Sequence, residues 1–154
     1  MVGMVGDTGD ELLARRQGTA GHRAVPHTAD VGIEAWGPSR ERCLAEAVLG
    51  LVECFADLSG VRPTAVERLE LAESSDEELL ATLLDEVVYR LEVRGEVPVD
   101  VEAEAVGDGL GIRLSVAGLA TVEVTGAPPK GVSWHRLHIG PDPYGWSCGV
   151  TVDV

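Results

Sequence analysis

The stretch Pro26-His-Thr-Ala-Asp-Val-Gly32 brings three groups capable of chemistry together in the chain. They are the imidazole of His27, the hydroxyl of Thr28 and the carboxylate of Asp30, and they stand just before a run that alternates like a β-strand. Side chains at the edge of a strand are well placed to bind a ligand. The same spacing also suits a structural role, because Thr and Asp often form side-chain turns at the entry to a strand. Spacing alone leaves both interpretations open.

The last residues, Val150-Thr-Val-Asp-Val154, keep a strand-like pattern instead of becoming a polar tail. An ordered end would hold two adjacent carboxylates, those of Asp153 and of Val154 itself. With Asp30 as a third carboxylate, the chain could form an all-oxygen cluster suited to a hard cation such as Ca²⁺ or Mg²⁺. Without a cation, three clustered carboxylates would repel one another. The alternative is that Asp153 ends an exposed strand in solvent.

Lys130 is the only lysine in the sequence, and it stands between two prolines and a β-rich run. It is either a solvated turn residue or a contact for an anion or a protein partner. Other polar motifs do not indicate a site. His135 and His138 are three apart in a predicted strand and so point to opposite faces. The glycine-rich run at 107–111 lies between strands and does not open a helix, as a phosphate-binding loop would.

Charge and composition exclude several classes of function. Acidic residues outnumber basic ones by 26 to 12, giving a formal charge of -14, and such a surface repels a phosphate backbone. The 154 residues, 45% of them apolar, fit a single core. Cys43, Cys54 and Cys148 share no Cys-x-x-Cys spacing, which favours a reducing compartment. With no long apolar run and no signal-peptide pattern, we expect a soluble cytoplasmic protein.

Periodicity predicts the elements that would position these residues. Residues 1–24 are predicted to be a flexible extension and residues 25–154 one domain. Apolar spacing predicts a helix over about 40–57 and a second from the Ser75-Asp-Glu-Glu78 capping box to Gly95. Alternating runs predict strands around 30–37, 64–72, 99–106, 110–116, 119–124, 132–139 and 146–152. The expected fold is α+β, with a mostly antiparallel or mixed sheet and two amphipathic helices packed on one face.

The sequence resembles the archease family, small activators of RtcB-type tRNA-splicing RNA ligases. The resemblance covers about residues 25–154. It is carried by five stretches: His27-Thr-Ala-Asp-Val-Gly-Ile33, Leu44 to Phe55, Leu83-Leu-Asp-Glu-Val-Val-Tyr-Arg-Leu91, Lys130-Gly-Val-Ser-Trp-His135 and Val152-Asp-Val154.

The resemblance implies a protein cofactor, not an enzyme, that promotes guanylylation and multiple turnover of an RtcB-type ligase in tRNA splicing or RNA repair. It implies that Asp30, Asp153 and Val154 bind a divalent metal, with Ca²⁺ favoured and Mg²⁺ or Mn²⁺ as alternatives. His27, Thr28 and Lys130 become candidates for partner contacts or for support of the metal ligands. The family motif departs here at Gly131, Ser133 and Trp134, which leaves the role of Lys130 open, and the sequence leaves the oligomeric state open.

Two other classes of function stay open at this stage. One is a stand-alone metal-dependent enzyme that acts on a small substrate with Asp30, Asp153 and His27 as its reactive cluster. The other is an acidic structural adaptor, in which the cation only ties the C-terminal strand to the opening segment. An enzyme would turn over substrate without a partner, whereas removal of the metal would lower the melting temperature of an adaptor.

Overall fold

The computed structural model describes Leu12, residues 15–26 and residues 30–154. Two helices are described, α1 (Arg40–Glu53) and α2 (Asp76–Arg94), and a 3₁₀ helix covers Leu119–Thr121. The described residues form nine strands: β1 (Gly21–Pro26), β2 (Asp30–Gly37), β3 (Ala56–Asp57), β4 (Ala65–Leu71), β5 (Glu96–Val106), β6 (Gly109–Gly118), β7 (Glu123–Val124), β8 (Gly131–Asp142) and β9 (Gly145–Asp153).

The helix boundaries follow from local chemistry. The hydroxyl of Ser39 accepts a hydrogen bond from the N–H of Arg42 and caps α1. Ser75 caps α2 through the N–H of Glu78 at 3.1 Å, and the Glu78 carboxylate accepts a bond from the Ser75 hydroxyl. Helix α2 ends at Gly95, whose φ of 62° is left-handed. The predicted capping box and glycine stop are therefore confirmed.

The strands form three antiparallel sheets. A four-stranded sheet has the order β1-β2-β9-β8, a three-stranded sheet has the order β4-β6-β5, and β3 pairs with β7. Helix α1 packs on β1, β2 and β9 of the first sheet and on β5 of the second, while α2 packs on β8, β4 and β5. The predicted α+β class with antiparallel strands and two packed helices is confirmed.

The core lies where the helices meet the inner faces of the larger sheets. Leucines and valines of both helices are fully buried there with Ile33 of β2, Val152 of β9 and Leu114 of β6. Burying such side chains contributes about 1.5–3 kcal/mol each. Among the described residues, no helix has the length and apolar character needed to cross a membrane.

The structure differs from the sequence prediction at several boundaries. Helix α1 stops at Glu53 instead of about 57, because residues 56–57 are drawn into pairing with β7. The predicted strand 119–124 is a 3₁₀ turn followed by two paired residues, since the Leu119 N–H donates to the Gly95 carbonyl. The first strand begins at Gly21, four residues before the predicted domain start, through pairing with β2. Most of the predicted extension lies outside the described residues.

Two turns also differ from the sequence prediction, in which Asp108-Gly109 is a two-residue hairpin turn between alternating runs and residues 141–145 form a longer turn. The turn between β5 and β6 is Gly107-Asp108, with Gly107 at a φ of 57°, and not Asp108-Gly109. The expected long turn at 141–145 is a two-residue loop between paired Asp142 and Gly145. The Asp142 carboxylate tightens this loop by accepting a hydrogen bond from the Tyr144 N–H at 2.9 Å.

Candidate metal site at one end of the four-stranded sheet

Asp30 and Asp153 meet at one end of the four-stranded sheet. Asp30 begins β2, Asp153 ends β9, and the two residues stand directly opposite each other in the antiparallel register. Cβ atoms of such partners lie about 4.5–5.5 Å apart, and their side chains project from the same face. The two aspartates are referred to below as the carboxylate pair.

Alternation along both strands turns the carboxylate pair away from the core. Val152 and Ile33 are buried at 1% exposure, so the residues out of phase with them point to the other face. Asp153 is exposed and Asp30 is half-buried. The pair is thus held on a rigid backbone and open to a ligand.

The carboxylate pair forms no ion pair with a basic side chain in the part of the chain that the structure describes. Neither Asp30 nor Asp153 forms an ion pair or a side-chain hydrogen bond with another described residue. Like charges placed directly opposite on neighbouring strands destabilise a sheet. A hard cation bound between the two would remove this repulsion, and carboxylate oxygens are the donors that such a cation prefers.

Val154 and Lys130 lie beside the carboxylate pair. The Val154 side chain is partly buried against the core, which holds the residue after Asp153 in place. Lys130 precedes β8, and its N–H donates to the Asp153 carbonyl at 2.7 Å while its side chain is exposed. Gly131 pairs with Asp153 from the side opposite Asp30. Asp153 is therefore fixed by two neighbouring strands.

Two of the predicted site residues, His27 and Thr28, lie outside the described residues. Among the described residues, no group of three or more His, Cys, Asp or Glu side chains is arranged to hold a metal ion. Asp30 and Asp153 are the two candidate side-chain ligands that the structure brings together in this part of the chain. The Val154 carboxylate, a main-chain group, is the third ligand that the sequence suggests.

Strand β8 pairs regularly with β9 at its first residues, from Gly131 to Ser133. Pairing with β9 shifts between Ser133 and His138, and Trp134 in this irregular stretch is 57% exposed. The His138 imidazole lies across Gly149, where a Cβ atom would come within 2.5 Å of its Nε2. Glycine at 149 therefore makes room for this ring.

A charged cluster on α1 was not predicted from the sequence. The His22 Nδ1 lies 2.7 Å from Glu46, and its Nε2 lies 2.5 Å from Glu53. The hydrogen bond with Glu46 raises the pKa of His22 above its ordinary value; burial opposes this rise and Glu53 adds to it. The two glutamates are seven residues apart, two helical turns, which is the one sequence signal that could have indicated a shared partner.

The three cysteines are free thiols. Contact with the Cys148 thiol and burial raise the pKa of Cys43, and burial raises the pKa of Cys54 to about 11. Both groups are therefore protonated near neutral pH, and a protonated thiol is a poor nucleophile.

A family model described as the Archease protein family matches residues 22–154, which includes both strands of the carboxylate pair. The chain belongs to the archease family. The match begins one residue after the start of β1, so it spans nearly all of the sheets and helices described above.

Curated archeases from distant organisms are similar to this chain. A protein of Mycobacterium tuberculosis named "Probable protein archease" is 42% identical over 144 residues, covering 93% of this chain and 80% of the relative. The "Protein archease" of Archaeoglobus fulgidus is 28% identical over 139 residues, covering 86% of this chain and 98% of the relative.

Solved structures share the archease fold with this chain. The solution structure of protein 1598 from Methanobacterium thermoautotrophicum has a TM-score of 0.68 at 24% identity, covering 87% of this chain and 99% of that one. The crystal structure of a Thermotoga maritima archease, titled a possible chaperone, has a TM-score of 0.62 at 21% identity, covering 84% and 94%. At these identities the likeness shows the fold alone.

Proposed function

We propose that this archease binds a divalent cation through Asp30, Asp153 and the Val154 carboxylate, and that in this form it activates an RtcB-type RNA ligase. Ca²⁺ is the first candidate, with Mg²⁺ and Mn²⁺ as alternatives. Activation would consist of faster guanylylation of the ligase and repeated turnover in tRNA splicing or RNA repair. His27, Thr28 and Lys130 are proposed as partner contacts beside the metal.

The observation that carries the proposal is the carboxylate pair itself. Two aspartates from opposite ends of the chain are aligned in register, point to the same face, and lack a cationic partner among the described residues. A protein that needed these residues only for folding would gain stability by neutralising one of them. Two acidic side chains at a solvent-accessible end of the sheet are well placed to bind a cation.

The charge of the chain supports a role as activator of a partner. At a formal -14, the body is poorly suited to hold RNA on its own. The same charge would steer it toward a basic RNA-binding protein and speed their encounter. When bound, a hard cation can stabilise charge that develops on phosphoryl oxygens. The chain's own part is to hold its carboxylates on paired strands that reach into the partner.

The test is a multiple-turnover ligation assay with a cognate RtcB-type ligase. Asp30→Asn and Asp153→Asn keep the shape of each side chain but remove its charge. We expect each variant to lose stimulation of ligation and also to lose calcium binding in a titration without ligase. Asp108→Asn, in the turn between β5 and β6, is the matched control and should behave as wild type.

The outcomes separate the three classes of function. Full stimulation by both aspartate variants, with native far-UV circular dichroism, would refute the proposed role of the pair. Turnover of a small substrate without ligase would favour a stand-alone enzyme. A chelator that lowers the melting temperature but leaves stimulation intact would favour a structural adaptor.

A further inference from the structure

An apolar groove with a cavity volume of about 640 Å³ lies beside the carboxylate pair. Four separate stretches of the chain line it: Phe55, residues 91–92, residues 119–130 and Val154. Phe55, which follows α1, is only 2% exposed. Val154 is the residue next to Asp153.

One wall of the groove, residues 127–130, belongs to a stretch that is held at both ends by backbone hydrogen bonds. The Thr125 N–H donates to the Phe55 carbonyl at 2.8 Å, and the Lys130 N–H donates to the Asp153 carbonyl at 2.7 Å. Two consecutive prolines between these points restrict the backbone further. The groove is therefore formed in advance, which lowers the entropy cost of binding. The bond to Asp153 also couples this wall to the carboxylate pair.

The rim of the groove exposes apolar side chains to solvent. Leu119 is 36% exposed and Val124 is 54% exposed, and both line the same cavity. Clustered apolar exposure around a groove is typical of a surface that binds another protein. The volume would accept one or two large apolar side chains from a partner.

The charges around the groove define the partner's chemistry. Glu92 lines it, Glu123 precedes Val124, and Asp153 lies behind Val154. Lys130 carries the only positive charge among the described residues that line the cavity. A complementary segment therefore presents an apolar side chain with Lys or Arg residues on either side of it.

We propose that this groove docks an apolar side chain carried on a basic segment of the ligase. The inference rests on the proposed function, since that function supplies the partner. The groove provides binding energy, and the carboxylate pair next to it is thereby presented to the ligase at a fixed position. Anchoring by a few buried apolar side chains is how most protein interfaces obtain their affinity.

The test measures the affinity of the full-length protein for the ligase. We expect Leu119→Ser combined with Val124→Ser to weaken binding at least about tenfold, while calcium binding stays at the wild-type level. Val106→Ser is the matched control: Val106 is 41% exposed and lies at the far end of β5, roughly 30 Å along the strand from the 3₁₀ helix. Wild-type affinity should also fall as salt is raised, because the flanking contacts are ionic.

Each outcome decides a separate point. If the wild type stimulates the ligase and the double variant binds it as tightly, the groove is not the docking site, although the proposed function stands. If the wild type neither binds nor stimulates the ligase, both fail. If the wild type forms a dimer that the double variant does not form, the occupant of the groove is a second copy of this chain and not a basic segment of the ligase. If the affinity for the ligase does not change with salt concentration, the segment that binds is not basic. Val124→Ala, which trims one exposed side chain, replaces the double variant if the latter does not fold.

Discussion

The two ends of the four-stranded sheet differ in the hydrogen-bond partners of their acidic side chains. At one end, the Asp142 carboxylate accepts hydrogen bonds from the Arg15 guanidinium and from the Tyr144 N–H. At the other end, Asp30 and Asp153 face each other, and neither is bonded to a cationic side chain in the described part of the chain. The first is called the paired end and the second the carboxylate end.

At the paired end, the charge of Asp142 is stabilised by neighbouring hydrogen-bond donors. Burial would raise the pKa of Asp142, but hydrogen bonds from Arg15, Tyr144 and Ser147 together lower it. The Arg15 guanidinium also lies 6.0 Å from the Trp36 ring and 5.4 Å from the Tyr144 ring. An acid placed for stability is surrounded by donors, whereas in the described part of the chain the carboxylate end has no basic side chain bonded to it, which is in keeping with the cation binding proposed above.

Calcium should give the largest difference between the two ends. At a concentration 100 times its dissociation constant, a cation bound only by the folded state adds about 2.7 kcal/mol to the free energy of unfolding. Thermal unfolding should show this gain in the wild type and its loss in Asp30→Asn and Asp153→Asn. Asp142→Asn should keep the full calcium response, and a loss of response there would remove the distinction between the ends.

Arg15→Ala should destabilise the paired end by about 2 kcal/mol, because it leaves a partly buried carboxylate without its charged donor. Chemical denaturation measures this loss. Arg16→Ala is the control. It removes only a guanidinium that lies 5.6 Å from the centre of the Tyr144 ring, and it should lower the free energy of unfolding by about 0.5 kcal/mol. Since the folded-state pKa of Asp142 is lowered, its stabilisation is present above the ordinary value and is lost as pH falls through the lowered one. Equal losses in the two variants would contradict this account.

The smallest expected effect concerns His22, which lies near the paired end and faces α1. Because its folded-state pKa is raised, its stabilisation is complete below the ordinary value of 6.5 and is lost as pH rises through the raised value. Melting temperatures between about pH 6 and 9 should therefore fall more steeply in the wild type than in His22→Gln, by the equivalent of about 1 kcal/mol or less. Glu46→Gln should reduce the slope more than Glu53→Gln, since Glu46 makes the larger contribution. If melting temperature falls with pH equally in the wild type and in His22→Gln, the ion pairs of His22 with Glu46 and Glu53 do not stabilise the fold.

Local signals in the sequence predicted much of the fold. The Ser75 capping box and Gly95 bound α2 as expected because hydrogen bonds within one turn set both limits. Alternation predicted β2 and β9, and it identified Asp30 and Asp153 as residues at strand ends. The family resemblance, based on short motifs in a conserved order, predicted the archease family, and the family match confirmed it.

What the sequence did not predict depends on contacts between distant parts of the chain. The sequence and the family resemblance predicted that Asp30 and Asp153 share one site, but not that they stand directly opposite each other, which depends on the register between two strands far apart in the chain. The shortened α1 and the broken strand at 119–124 both result from pairing with partners elsewhere in the chain. The groove combines residues from four segments, none of which is unusual by itself.

The position of β9 inside its sheet has a consequence for how the molecule is made. This strand is the last in chain order, yet it lies between β2 and β8 and joins them. While a ribosome is still synthesising the chain, β2 has no partner on that side until almost every other element has emerged. Such non-local pairing slows folding, and it means that the two aspartates come together only after β9 has emerged and paired with β2.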